Sequence, residues 1–260
     1  MIRYGMYLGM NARPWQTIYQ ASPTAQHPIS TFFDDEFGRR FRYALNGATA
    51  LVAGNIVQCA PLGGATTTLQ SAATINTAAA AGESRFLVTA TTTNQAAGLY
   101  NEGWAGFWDD DIAAVYTRRI FRSGALSTGG GADSWIEIYD SEPLPVALVP
   151  TADRVALQVN PYRSIIPAPT TRTGMLLGGV QCAVPANQFC WVQTRGWFAA
   201  RIKDATTNIG ANPITAATTT VGSIINAAEG ATGDPYRQVV GISTALWLDE
   251  YASIIYLTCE

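Results

Sequence analysis

The residues best suited to chemistry in this chain are three consecutive aspartates, 109–111, with aromatic residues on both sides. Paired carboxylates flank the bond that a glycoside hydrolase cleaves, and aromatic rings can stack on the sugar. Trp104, Trp108 and Tyr116 would supply the rings. Adjacent residues in a turn point apart, however, whereas the two carboxylates of a glycosidase normally come from separate strands. We therefore predict no catalytic residue and no enzymatic activity, and keep carbohydrate binding or cleavage as the alternative function.

The remaining reactive residues do not indicate a metal or cofactor site. The four cysteines lack the paired close spacing of a zinc site, and the single histidine, His27, cannot complete one. Cys182 and Cys190 could face each other across a turn, but we expect buried thiols. The acidic run 34–36 lacks the spaced oxygen ligands of a calcium loop. The glycines 129–131 lack the lysine and hydroxyl residue of a phosphate loop. We predict no metal and no cofactor.

The chain is poor in charge. Charged residues make up 13% of its 260 residues, where a soluble domain has about 25%. An exterior with so few charges is better suited to being covered, so we expect obligate self-assembly, with a polar surface and no partner as the alternative. The net charge of −3 and the absence of a long basic run argue against nucleic-acid binding.

The sequence has no apolar run that could span a membrane and no apolar leader at its start. We therefore expect a soluble protein, made in a cytoplasm, that does not bind membranes.

Period-two alternation predicts an all-β fold, an antiparallel β-barrel or sandwich with long Ala/Thr/Gly-rich loops. The clearest segment, 179–198, predicts two strands around a turn at 185–187. A second hairpin is predicted from 50–52 and 56–59, around Gly54. We expect one β-domain over residues 31–260, preceded by an extended arm over residues 1–30.

Several shorter elements follow from the same patterns. Strands are predicted at 85–91, 135–139 and 154–159. The segment 103–121 fits a capped helix or a hairpin turning at 109–111, and its aromatic and β-branched content favours the hairpin. We expect loops at 63–82 and 204–233, the first with one helical turn at most. The last apolar segments, 239–248 and 252–259, predict central strands buried on both faces.

Two sets of residues are predicted to contact a neighbouring subunit. On the second strand of the 179–198 hairpin, large and polar side chains alternate with smaller ones, and a face rich in Trp and Arg is typical of an interface centre. The arm carries aromatic residues that would be insoluble if they stayed exposed; it could instead pack on its own domain. The predicted interface residues are Trp191, Gln193, Arg195 and Trp197 in the strand and Tyr4, Tyr7, Trp15 and Tyr19 in the arm.

Five segments, in this order, resemble a group of tailed-bacteriophage virion proteins: 24–31, 38–58, 139–148, 155–162 and 189–196. The resemblance covers the front and middle of the chain. It implies a structural protein on the outside of a phage capsid, of the decoration or cement kind. The implied partners are copies of the chain itself, most simply in a trimer, and the major capsid protein. The alternative is a carbohydrate-binding or carbohydrate-cleaving protein of the phage tail or fibre.

Overall fold

A computed structural model describes most of the chain, in ten segments. These are residues 16–60, 70–90, 93–109, 114–150, 152–171, 173–202, 212–217, 220–226, 238–243 and 252–260. The regular structure in these segments is β-strand, apart from a short 3-10 turn at Pro161–Arg163. The predicted all-β class is therefore confirmed.

The strands are β1 (Phe32–Asp34), β2 (Arg40–Leu45), β3 (Ile56–Cys59), β4 (Gln70–Ile75), β5 (Arg85–Ala90), β6 (Trp104–Asp109), β7 (Ala114–Ser123), β8 (Trp135–Ile138), β9 (Arg154–Gln158), β10 (Ile165–Pro167), β11 (Leu176–Val180), β12 (Phe189–Arg201), β13 (Asn212–Ala216), β14 (Ile224–Asn226), β15 (Gly241–Ser243) and β16 (Ala252–Thr258).

The chain divides into two compact units. The sheet unit comprises residues 1–60 and 161–260, and the barrel unit comprises residues 61–160. Each unit has its own cluster of buried apolar side chains. The single domain expected over 31–260 stays a prediction, because a division by contacts does not establish whether the units fold independently.

The barrel unit is a closed barrel of six strands in the order β4-β5-β8-β7-β6-β9, and every neighbouring pair is antiparallel. Burial alternates along β5, β6 and β8, as a barrel with a filled interior requires. Phe86 and Phe107 meet edge to face in the interior, with ring centroids 5.3 Å apart. The predicted strands at 85–91, 135–139 and 154–159 and the hairpin at 103–121 are confirmed here.

The sheet unit is a ten-stranded sheet that contains β12 as its longest strand. The edge-to-edge order is β10-β3-β11-β12-β16-β15-β13-β14, with β2 on β12 and β1 on β2. β11 and β12 form the predicted 179–198 hairpin, with Val180 opposite Val192. Gly179 must lack a side chain, since a Cβ there would come within 2.3 Å of the Phe198 ring.

The second predicted hairpin is wrong. Gly54 does take a positive φ of 81°, but the segments on either side of it do not pair with each other. Leu51 bridges Val184 instead, and Ile56 lies opposite Gly179. Only Leu51 of the first segment is in a bridge, with Val184, while the second segment pairs with β11, so each segment has its own remote partner.

The small-residue stretches also contain strands that the sequence did not indicate. β4 lies in the segment 63–82, where Ala73 is fully buried, and β13 and β14 lie in the segment 204–233. Small side chains disfavour a strand mainly by packing little surface, and here the neighbouring strands supply the packing.

The expected burial of 252–259 on both faces is wrong, since Ile254 on β16 is 47% exposed.

Candidate functional site

Four of the predicted interface residues lie on β12, in two different environments. Trp191 is 1% exposed and Gln193 is fully buried, whereas Arg195 is exposed and Trp197 is 50% exposed. A β-bulge separates the two pairs in the ladder with β2, and strict alternation of buried and exposed positions begins after it. Contact with a partner stays a prediction for all four residues, but Arg195 and Trp197 are the ones that offer exposed surface.

Gln193 sits in the interior because its amide is satisfied there. Its amide nitrogen donates to the carbonyl oxygens of Arg195 and Trp197 at 3.0 and 2.9 Å, and its side-chain oxygen accepts from Gln181 at 2.6 Å. A buried amide with these partners carries no desolvation penalty of an unpaired group. These bonds span the bulge and hold the strand in its bent path.

Trp191 belongs to an aromatic cluster formed by Phe33, Phe41, Tyr43 and Trp191. The segment just after residue 15 is tied to this cluster. The Trp191 indole N–H donates to the carbonyl oxygen of Gln16 at 2.8 Å, and the Tyr43 hydroxyl donates to the Gln16 side-chain oxygen at 2.7 Å. The described part of the predicted arm therefore packs on its own chain at this point.

The other predicted arm residues are placed differently. Tyr19 is 62% exposed. Tyr4, Tyr7 and Trp15 lie outside the described residues. His27 packs against the aromatic cluster, with its ring centroid 5.2 Å from those of Tyr43 and Trp191, and burial lowers the pKa of its imidazole.

The acidic and basic run at 34–42 forms two ion pairs, one across the strands β1 and β2 and one in the turn between them. Asp34 pairs with Arg40 across β1 and β2 at 2.7 Å, and Asp35 pairs with Arg39 at 2.7 Å. The hydrogen bond from Arg40 lowers the pKa of the Asp34 carboxyl, and the charge of Arg195 contributes in the same direction. Arg195 is thus a solvated cation near an acid of its own chain.

An exposed apolar strip crosses four strands of the sheet unit. Trp197 on β12 lies opposite Tyr256 on β16, Tyr256 lies opposite Ile242 on β15, and Ile242 lies opposite Pro213 on β13. Residues directly opposite each other in a ladder point to the same face. We call Trp197, Tyr256, Ile242, Pro213 and the neighbouring Ile254 the apolar face.

The large apolar side chains of the apolar face are well exposed to solvent. Trp197 is 50%, Ile254 47% and Ile242 40% exposed. The Trp197 and Tyr256 rings contact each other edge to face at 5.3 Å. The sequence of β16 indicates such a face, because its odd and its even positions are both apolar. Alternate residues of a strand point to opposite faces of the sheet, and of the large apolar side chains of β16 only Ile255 and Leu257 are fully buried.

The candidate carboxylates of the barrel unit lie away from the exposed tryptophans. Asp109 is 3% exposed, whereas Trp104 and Trp108 of the same strand are 45% and 49% exposed, so Asp109 points to the opposite face. Buried Asp153 and Asp109 both act on Tyr116: burial and these two charges raise the pKa of the Tyr116 hydroxyl to about 12. Asp110 and Asp111 lie outside the described residues.

The described residues hold no group of three or more His, Cys, Asp and Glu side chains that could bind a metal. Cys182 and Cys190 are free thiols, and burial raises the pKa of both. No helix in the described segments is long and apolar enough to cross a membrane.

Comparison with known proteins adds no relative: no family model, curated protein or solved structure matches the chain.

Proposed function

We propose that this protein is a structural protein whose copies assemble through the apolar face, and that the assembly binds the outside of a bacteriophage capsid as a decoration protein. The observation that carries the proposal is the row of exposed apolar side chains in register across β12, β16, β15 and β13. A patch of this kind on a soluble domain is typical of a contact surface.

The composition of the apolar face fits a contact between protein subunits. Trp197 lies between Arg195 and Arg201 on the exposed side of β12. Trp and Arg are the residues that contribute most to the energy of protein interfaces. Its neighbours Ile242 and Ile254 are aliphatic. Their burial against a second protein surface removes apolar area from water and stabilises the complex.

A second copy of the chain is the occupant that best explains the low charge. With 13% charged residues, the protein has few means of keeping like molecules apart. Closed rotational symmetry buries one such face on every subunit. A trimer is the simplest form for a protein at the three-fold positions of a capsid.

The capsid station and the major capsid protein as partner are supported by the resemblance of the five segments alone. Quantification of this chain against the major capsid protein in purified particles tests that station. We expect a fixed ratio of many copies and density on the outside of the shell. Absence from the particle, or a few copies at the tail, would contradict the capsid station.

The capsid proposal also predicts that added protein rebinds. Purified wild-type chain should co-sediment with shells that lack it, and Ile254→Asp should fail to do so if assembly precedes capsid binding. If a monomeric variant co-sediments as well as the wild type, capsid binding does not require self-assembly, and the proposed order of assembly before capsid binding is contradicted.

A further inference from the structure

The outer face of β6 in the barrel unit presents two tryptophans with a glycine midway between them. Trp104 and Trp108 are 45% and 49% exposed, and Gly106 lies at the position between them on the same face. Four strand residues span about 13 Å. The two indoles are therefore separate platforms on one line.

Small residues form the floor between the two platforms. Thr117 on β7 and Ala156 on β9 lie opposite Gly106 on its two sides, and both are exposed. The resulting depression has a volume of about 380 Å³ and is also bordered by Trp108, Val115 and Arg154. Trp104 lies beyond the depression, on the same face of β6. We call the depression, with Trp108 at its border and Trp104 next to it along β6, the tryptophan trough.

The fold does not require the glycine of this trough. A Cβ at Gly106 would meet its nearest neighbour, the Ala156 carbonyl oxygen, at 3.9 Å, which is ordinary contact. A glycine in the middle of a strand weakens the strand, and it often marks a place where a ligand approaches the backbone. The missing side chain keeps the path between Trp104 and Trp108 open.

Polar side chains border both ends of the trough. Arg154 lies opposite Trp108 on β9, and Arg119 lies opposite Trp104 on β7. Arg119 pairs with Glu102 at 2.9 Å, and the Tyr139 hydroxyl donates to the same carboxylate at 2.7 Å. The aromatic surface of the trough is interrupted by small residues and flanked by hydrogen-bonding groups, whereas the apolar face is a contiguous row of aromatic and aliphatic side chains.

We propose that the tryptophan trough binds an extended oligosaccharide. The C–H faces of sugar rings stack on the electron-rich faces of indoles, while hydroxyl groups need hydrogen-bonding partners at the sides. The two strand positions lie about 13 Å apart, which exceeds a single sugar ring, so a ligand that contacts both indoles must contain several linked sugars. Asp109 points to the other face of the strand and does not border the trough. This site is in a different unit from the apolar face and does not depend on the proposed function.

Calorimetric titration of the full chain with cellohexaose, chitohexaose and hexagalacturonate tests the site. The two neutral probes report stacking and hydrogen bonding, and the acidic probe also reports the charge of Arg154. We expect at least one of the three to bind with a dissociation constant below about 1 mM. Trp104→Ala and Trp108→Ala should each weaken that binding by about tenfold or more.

Gly106→Val is the sharpest variant, because it fills the floor of the trough and places a strong β-former in the strand. It should abolish binding and leave the melting temperature unchanged or raised. Phe37→Ala, at an exposed aromatic residue of the sheet unit outside the apolar face, is the matched control and should bind like the wild type.

Three results would overturn the proposal. One is a lack of binding to all three probes. Another is binding that survives Trp104→Ala and Trp108→Ala in folded protein. The third is a change in sedimentation coefficient on substitution of either tryptophan, which would make the trough a protein contact. If Gly106→Val does not fold, the two alanine variants decide the outcome.

Discussion

Trp191 and Trp197 are six positions apart on β12, and their surroundings are opposite. Trp191 is enclosed by the aromatic cluster and bonded to the Gln16 carbonyl oxygen, while half of the Trp197 surface faces water. The β-bulge after Gln193 separates them. Simple alternation predicts that both share a face, and the bulge is what the sequence pattern did not reveal.

Alanine at these two positions should therefore give different losses. Trp191→Ala removes a fully buried indole and should lower the free energy of unfolding by about 4 kcal/mol. Trp197→Ala should change the stability of the dilute subunit by about 0.5 kcal/mol or less and weaken assembly instead. Urea unfolding at low protein concentration measures both, and equal losses would contradict the two environments.

His27 makes the folded chain sensitive to mild acid. Burial lowers the pKa of His27 below 6.5, so the folded state binds this proton less readily than the unfolded state. Its contribution to stability is present above pH 6.5 and is lost as the pH falls through the folded pKa. We expect the urea midpoint to decrease between pH 7 and about pH 5, and His27→Gln to reduce that slope. An unchanged slope in the variant would contradict the assignment.

At the scale of single elements, local pattern predicted those strands whose own residues carry the signal. The hairpins at 104–123 and 176–201 and the strands β5, β8 and β9 alternate clearly enough to be recognised. β4 and β13 carry small or polar residues, and each is a strand because it pairs on both sides, β4 with β5 and β9 and β13 with β14 and β15. The partners of Leu51 and Ile56 are likewise remote in sequence.

The candidate surfaces show the same limit. The exposed side of β16 was visible in the sequence as an excess of apolar residues, but its register with Trp197 and Ile242 depends on pairings between remote segments. The trough needs Thr117 and Ala156 beside Gly106, which only the barrel order supplies.

Truncation separates the two halves of the arm. Deletion of residues 1–15 keeps Gln16 and is the control. Deletion of residues 1–30 removes the hydrogen bonds of Gln16 to Tyr43 and Trp191 and the His27 ring that packs on both, and should destabilise the sheet unit by at least about 1–3 kcal/mol, the net contribution of two hydrogen bonds.

Circular dichroism melting of the two truncations decides this prediction. Equal melting temperatures would contradict the role of Gln16. Loss of assembly with the shorter deletion would support a contact between the first fifteen residues and a neighbour, and unchanged assembly would contradict one.

At the scale of the whole molecule, low charge and the apolar face lead to the same expectation of self-association. Charged residues are scarce throughout the chain, and many of the described ones pair within it, as Arg40 does with Asp34 and Arg119 with Glu102. Little charge is left to oppose the approach of a second copy, and the apolar face supplies a reason to associate.

Sedimentation equilibrium at micromolar concentration tests this central claim most directly. The wild type should be an oligomer, most simply a trimer, and Ile254→Asp should be a folded monomer because it places a charge in the apolar face. Val52→Asp, at another exposed aliphatic residue of the same unit (52% exposed), is the matched control and should stay oligomeric. A monomeric wild type, or an Ile254→Asp variant that remains assembled, would contradict assembly through this face.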